Sequence, residues 1–440
     1  MQMSNRVLGL AMSKAPLKLQ RHMAVLLADT VLVGYAAMAQ EPWLRAMTLR
    51  VAQMFPGTVA TWGPTSVGVG VETATQIHGA ACVALELDEG NQFAEGHPAC
   101  HIVPAVLALW QSGSAPVDNM TVVSAIWSGY EAAVDIASRY RLHDAVHPHG
   151  TWGTVGAAVA CGRILGLSTK EIESAVDIAL GLMVTSSQRA ALVGSPVRNI
   201  ATGIGAANGV AAALWAAAGV EGERGVEHLT LGTILGRPKP SLDLTTDKHF
   251  LQQNYFKLYS SSRWCHAAIE AAAEIRQRMG ERGQTPQDVS TFLVETYDPA
   301  TRLSNPQPEN VFASRFSIEF GVAVMLVTGR ADPTVYTREM LHDGRVRELG
   351  RAGRVVEDPA MSAMLPHIRP AKLTVQFRDG SSDSCLVNRP RGNFDNPYTE
   401  QELQEKHRSL IGNPDLVTRI WNAAIAFDIP ALVSNLTASA

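Results

Sequence analysis

The chain has 440 residues, 46% of them hydrophobic and 18% charged, with a formal net charge of -4 at pH 7. That length exceeds one ordinary core and asks for two domains, and the composition is that of a globular protein. The near-neutral balance, without any Lys/Arg block, excludes the electrostatic footprint of a nucleic-acid partner or of a membrane-surface protein. The cysteines Cys82, Cys100, Cys161, Cys265 and Cys385 are scattered, odd in number and form no CxxC pair. Neither a disulfide framework nor a thiolate-bound metal is expected, and reduced thiols fit a cytoplasmic protein. Residues 1–20 lack the basic start, long apolar centre and small-residue cleavage site of a signal peptide.

In chain order, apolar residues recur at helical spacing from Leu17 to Ala39. The sequence then predicts helices over Ala81–Leu87, over Pro104–Gln111 with the proline at its start, over Val122–Arg139 and over Thr154–Leu165. The next helix, Thr169–Leu182, is opened by Ser168 and Glu171 in the spacing of a capping box. The last of this series is Thr202–Ala218. The most apolar stretch, near Gly205 to Val220, is shorter than a membrane span and reads as a buried core helix. After about Phe250 the pattern changes. A helix over Cys265–Met279 precedes a strand over Val289–Tyr297 and a helix over Phe316–Leu326. Two strands, Ala371–Phe377 and Ser384–Asn388, flank an Asp379–Gly380 hairpin turn. Helices return from Thr399 to Leu436. The expected fold is mainly α: a large all-helical domain built from both chain ends (1–252 and 396–440) and a smaller α/β domain inserted at 253–395.

Four clusters carry candidate chemistry. Asp88, Asn91 and His97 fall in one loop between helices, where they either bind a ligand or serve as a cap and a turn. His147 and His149 flank Pro148 ahead of a small-residue helix. They supply a side chain that titrates near working pH beside a helix N-terminus, or form a polar turn. No third ligand of matching spacing completes a metal set, so no metal is expected. Arg198 precedes a glycine-bearing helix and either clamps a carboxylate or lies at the surface. The glycines that follow lack a preceding strand and do not form a dinucleotide fingerprint. Lys257, Arg263 and His266 lie in one short stretch where the chain passes between the expected domains, a favoured place for a small-molecule site. Together these residues suit an anionic substrate with several carboxylates, held by Lys and Arg and worked on by His and Asp.

The segments Asp88–Pro104, His147–Leu167, Arg198–Ala213, Phe256–Ile275, Phe316–Leu326 and Val387–Leu403, in this order and spacing, resemble the MmgE/PrpD family. The resemblance implies that family's fold with the inserted α/β domain as a lid, a homodimer, and an active site in the cleft between the domains that works without metal or organic cofactor. It implies catalytic roles for Asp88, His97, His147 and Lys257. Substrate contacts are implied for Asn91, Arg198, Arg263 and His266. The implied activity is a lyase, foremost a dehydratase of a citrate-like hydroxy polycarboxylate of the 2-methylcitrate kind. Cis-aconitate-type decarboxylation and epimerisation of a small dicarboxylate are the alternatives, with a non-catalytic acid-binding protein behind them. Arg198 where many members have Lys, and Phe320 near a Tyr of decarboxylase-like members, argue against cis-aconitate decarboxylation.

Overall fold

The computed structural model describes residues 9–10, 12–239 and 249–438, so residues 1–8 of the stretch tested for a signal peptide lie outside the described residues. The chain forms two compact units. Unit 1 comprises Met1–Gln188, Val197–Tyr255 and Thr399–Ala440, and unit 2 comprises Arg189–Pro196 and Phe256–Tyr398. The architecture is mainly α with a small α/β part. The second unit takes more than the single insertion expected: residues 189–196 join it, where the Asn310 side-chain amide donates to the Val193 carbonyl at 2.9 Å. No composition change in the sequence marks that excursion.

Unit 1 opens with helices α1 (Gln20–Gln40), α2 (Pro42–Met54), α3 (Val71–Ala84), α4 (Ala99–Gln111), α5 (Asn119–Arg139), α6 (Gly153–Ile164), α7 (Thr169–Gly181) and α8 (Val197–Ala217). The capping box at α7 is formed: the Glu171 N–H donates to Ser168 Oγ and the Ser168 N–H to Glu171 Oε2. Small residues let α3 and α8 meet closely. A Cβ placed on Gly79 would come within 2.8 Å of the Gly203 Cα, so a larger residue there would push the helices apart. Three helices start at least five residues earlier than the sequence predicts. The stretch Ala81–Leu87 holds only the end of α3, Pro104 lies inside α4, and Arg198 lies in the first turn of α8 instead of before it. At α4 the run Ala99–Leu109 is wholly buried, and that burial outweighs the proline's preference for a first turn. Helix α8 is also longer than the apolar stretch suggested. By length and composition it and Leu17–Gln40 are each long enough to cross a membrane, but 67% and 89% of their apolar windows are buried within the protein. A short strand β1 (Gly90–Asn91) pairs antiparallel with β2 (Asn254–Tyr255) at the end of this part of unit 1.

Unit 2 packs helices on a sheet. Its elements are α9 (His266–Glu281), β3 (Val289–Thr296), α10 (Ile318–Thr328), α11 (Gly344–Ala352), β4 (Gly353–Glu357), β5 (Ala371–Phe377) and β6 (Ser382–Val387). The sheet order is β4-β3-β5-β6, with β4 parallel to β3 and the other pairs antiparallel. The β5–β6 hairpin turns at Gly380, whose φ of 86° favours glycine. Strand β4 was not expected from the sequence: it is a half-exposed edge strand without clean alternation. Phe292, Val294, Leu373 and Val375 from the sheet meet Ile269 and Ile275 of α9 and Val322 of α10 in one core.

The chain then returns to unit 1 as α12 (Glu400–Ile411), α13 (Pro414–Ala426) and α14 (Ile429–Thr437). A buried polar chain fastens these to α1. Lys406 and His407 of α12 both reach Asp29 Oδ1, the imidazole at 3.0 Å, and the Trp421 indole N–H donates to His407 Nδ1 at 3.1 Å. A neutral His407 satisfies both partners, accepting at Nδ1 and donating from Nε2. The helical unit is thus built from both chain ends. No disulfide joins the five cysteines, four of which are buried.

Candidate active site

Within unit 1, the loop from α3 to α4, the turn before α6 and the first turn of α8 converge. They bring together Glu86, Asp88, Glu89, His97, His101, His147, His149 and Arg198, all buried. The loop is held from within. Asn91 Oδ1 accepts the Phe93 N–H at 3.0 Å, and its Nδ2 donates to the Phe250 carbonyl at 3.0 Å. The Glu131 carboxylate accepts the Phe250 and Leu251 N–H groups, fixing the partner segment of β1. His101 ties the loop to the turn before α6: Nδ1 bonds the His97 carbonyl at 3.1 Å and Nε2 accepts the Gly150 N–H at 3.0 Å. Burial pushes the His101 pKa down to about 4, so it stays neutral in this bridging role.

The centre of the cluster is an imidazole beside a carboxylate. His97 Nδ1 lies 2.7 Å from Asp88 Oδ2 and 2.7 Å from the Glu89 carbonyl oxygen. The Nδ1–H donates to the Glu89 carbonyl, with the Asp88 carboxylate beside it, which leaves Nε2 as the basic position. The His97 ring packs edge-on to His149 at 5.1 Å between centroids. Thr202 Oγ1 lies 2.6 Å from His149 Nδ1, while His149 Nε2 faces Arg198 Nη2 at 3.5 Å. Burial, reinforced by the Arg198 guanidinium, holds His147 and His149 well below the usual imidazole range. His147 is held differently from His97. Its Nδ1 accepts the His149 N–H at 3.2 Å and its Nε2 faces the Arg198 Nε–H at 3.4 Å. A neutral ring satisfies one of these donors, and an imidazolium satisfies neither. Glu89 sits beside Asp88, its pKa pushed up to about 8 chiefly by burial. The Tyr130 hydroxyl donates to its Oε1 at 2.6 Å and opposes that shift. Arg198 pairs with Glu86, Nη1 to Oε2 at 2.9 Å.

A second cluster lies within unit 2. The Arg263 guanidinium donates to the Arg391 carbonyl at 2.9 Å, to the Pro390 carbonyl at 3.0 Å and to His266 Nδ1 at 3.0 Å. His266 Nε2 lies 3.2 Å from the Ser261 carbonyl. Burial first, then the charges of Arg263 and Lys257, push His266 well below its ordinary range. Lys257 itself is fully buried.

The structure therefore gathers Asp88, Asn91, His97, His147 and Arg198 in unit 1 and Lys257, Arg263 and His266 in unit 2. Asn91 and Arg263 use their polar atoms to hold neighbouring backbone. The sequence reasoning placed His149 in a candidate cluster without giving it a role, and passed over His101, Glu86 and Glu89 as site members. The His-Pro-His motif contained the signal for His149, whereas nothing local distinguished Glu86. The absence of a third metal ligand at matching spacing also proved a poor guide. Asp88, His97 and His149, distant in sequence, offer ligand atoms that all lie within 4.8 Å of one another. Imidazole and carboxylate donors suit a divalent transition metal, but the guanidinium against His149 Nε2 places a positive charge beside any such ion.

An imidazole beside a carboxylate, flanked by further imidazoles kept neutral by burial and by a buried carboxyl group pushed up to about 8, has the chemistry that general acid–base work requires, in a mainly helical protein of two units. The chain belongs to the MmgE/PrpD family: residues 1–233 match the MmgE/PrpD N-terminal domain and residues 259–414 the MmgE/PrpD C-terminal domain. It is 25% identical to the cis-aconitate decarboxylase-like protein oryM of Aspergillus oryzae, over 99% of this chain and 96% of that protein. It is 24% identical to the cis-aconitate decarboxylase of Homo sapiens, over 79% and 74% of the two chains. To the 2-methylcitrate dehydratase of Cupriavidus necator it is 27% identical, over 83% and 80%.

Proposed function

We propose that the protein is a lyase that removes a proton next to a carboxylate of a small hydroxy polycarboxylate and expels the hydroxyl as water. The observation that carries this is the His97 imidazole, whose Nδ1 donates to the Glu89 carbonyl and lies 2.7 Å from the Asp88 carboxylate, which fixes the ring tautomer and leaves Nε2 to exchange a proton with substrate. In this proposal His97 is the acid–base group and Asp88 orients it. His149 is proposed for the second acid–base place that the sequence assigned to His147: both rings face an Arg198 nitrogen through Nε2, but the Nδ1 partner of His149 is the Thr202 hydroxyl, which can donate or accept, whereas that of His147 is a backbone N–H. Lys257 is proposed to hold a substrate carboxylate and to stabilise the enolate-like intermediate. The proposal includes a homodimer acting in the cytoplasm without metal or organic cofactor.

A second reading, decarboxylation, draws support from the relatives named as cis-aconitate decarboxylases and from the cis-aconitate decarboxylase-like protein that aligns over nearly the whole chain. Both reactions can pass through an enolate-like intermediate that the same cations would stabilise, so the test must read products. Proton NMR of the purified protein in deuterated water with citrate, 2-methylcitrate, cis-aconitate and smaller hydroxy and imino diacids separates them. Vinyl signals from a hydroxy acid establish dehydration, loss of carbon dioxide establishes decarboxylation, and deuterium uptake at one carbon without net conversion establishes epimerisation. Silence across the panel would overturn the proposal in favour of a binding protein.

A further inference from the structure

Unit 2 holds a cleft that the acid–base chemistry does not use. It lies between the C-terminal ends of α9 and α10, has a volume of about 540 Å³, and is lined among others by Ala273, Arg276, Met279, Gln284, Pro286 and Met325. Met279 and Met325 are buried and supply an apolar floor. A cleft of this size, apolar with a few polar groups, has the make-up of a small-molecule site.

Most polar groups on its wall are engaged. Gln277 Nε2 donates to Glu281 Oε1 at 3.2 Å, and the Thr285 hydroxyl donates to Asp288 Oδ2 at 2.8 Å. The helix-end carbonyls of Met279 and Met325 accept the Gln284 and Gly329 N–H groups, each at 2.9 Å. Two groups differ. Arg276 is the one ionised side chain on the wall and forms no ion pair among the described residues. Its Nη1 donates to the Leu326 carbonyl near the end of α10, which leaves further N–H groups of the five that a guanidinium carries. The side-chain oxygen of Gln284 is buried and meets no donor among the described residues.

The bond to Leu326 accounts for a cation at a helix C-terminus, where positive charge is favourable. It does not account for the Gln284 oxygen, since a buried carbonyl is unfavourable without a donor. The two together describe a ligand that carries an anion and a hydrogen-bond donor on one apolar body. We propose that this cleft binds a small hydroxy acid with an apolar substituent. Its carboxylate pairs with Arg276, its hydroxyl donates to Gln284 Oε1, and its substituent packs on Met279, Met325 and Pro286. Thioethers make favourable contacts with aromatic rings, so an aryl substituent fits this floor. The site lies within unit 2 and stands whatever reaction the acid–base cluster performs.

Calorimetric titration of the full chain with mandelate and with phenylacetate tests this. Mandelate carries all three groups, and phenylacetate lacks only the hydroxyl. Mandelate is expected to bind saturably and at least ~3-fold more tightly than phenylacetate, the scale of one hydrogen bond. Arg276→Met is expected to weaken both acids at least ~10-fold, the scale of a charged contact. Gln284→Leu, which removes the buried acceptor, is expected to bring mandelate to the affinity of phenylacetate. That variant carries the test if Arg276→Met does not fold. Mandelate that does not bind, that binds no more tightly than phenylacetate, or that keeps its preference in Gln284→Leu would overturn the proposal. So would undiminished binding in folded Arg276→Met; its loss in His97→Gln would then put the acid in unit 1.

Discussion

His97 Nδ1 and Asp88 Oδ2 are 2.7 Å apart, with the Glu89 carbonyl oxygen accepting from the same nitrogen. The ring is thereby fixed in one tautomer before any substrate arrives. Asp88→Asn keeps the shape of that contact but lets the amide present a donor where an acceptor is needed. Asp88→Asn and His97→Gln are each expected to lower kcat at least ~10²-fold, the scale of a positioned acid–base group. Circular dichroism and melting curves establish that the variants are folded, and near-normal turnover in both would sink the assignment of His97.

The two histidines of the His-Pro-His motif are expected to differ in their effects. His149 shares the cluster with Asp88 and His97, while His147 has a donor at each ring nitrogen. His149→Ala should cost at least ~10²-fold in kcat, and His147→Ala less than His149→Ala. The reverse order, measured on the same substrate, would restore His147 to the role first read from the sequence. Lys257→Met should lower kcat/KM by at least ~10²-fold if its charge stabilises the intermediate.

Acid stability should follow the buried neutral histidines. Burial pushes His78 down to about 3 and His101 and His407 to about 4, from an ordinary value of 6.5. Their folded pKa values lie below the unfolded ones, so between about 4 and 6.5 the unfolded chain binds more protons. Stability is therefore complete above 6.5 and falls as pH drops through this window, by about 1.4 kcal/mol per pH unit for each proton taken up only on unfolding. Urea midpoints should rise from pH 4.5 to 6.5, with a shallower slope in His407→Gln. A flat profile over that range would contradict the buried, neutral assignment.

Asp29 is the counter-charge of Lys406 and accepts from His407 in the interior of unit 1. Asp29→Ala removes the buried carboxylate that Lys406 and His407 share and should destabilise by about 3–5 kcal/mol. Asp29→Leu/Lys406→Met removes both charges and should recover most of that loss. Denaturant unfolding of the two variants checks the order, and equal destabilisation of both would show that packing, not charge, sets the effect.

Gly203 tests the close approach of α8 to α3. A Cβ there would fall on the backbone of Gln76, which cannot move as a flexible side-chain end would. Gly203→Ala should destabilise by about 1–3 kcal/mol through overpacking, despite the better helix propensity of alanine. A higher melting temperature in the variant would show that the helices relax apart without cost.

Much of this protein was legible in its sequence because the governing interactions are local. Helical spacing, the Ser168–Glu171 cap and the Asp379–Gly380 hairpin each depend on neighbours a few residues apart. The candidate residues Asp88, His97, His147 and Arg198 were recognisable as chemistry-bearing types in apolar, glycine-rich surroundings. What local signals could not give was partnership. The start of α4 before Pro104 follows from burial against the rest of unit 1, and the edge strand β4 exists only because β3 lies beside it. The joining of Asp88 and His97 to His149, and of Glu86 to Arg198, was decided by the tertiary structure alone. A side chain's charge and type are fixed by sequence, but its pKa, tautomer and available edge depend on which distant group folding places within about 3 Å of it.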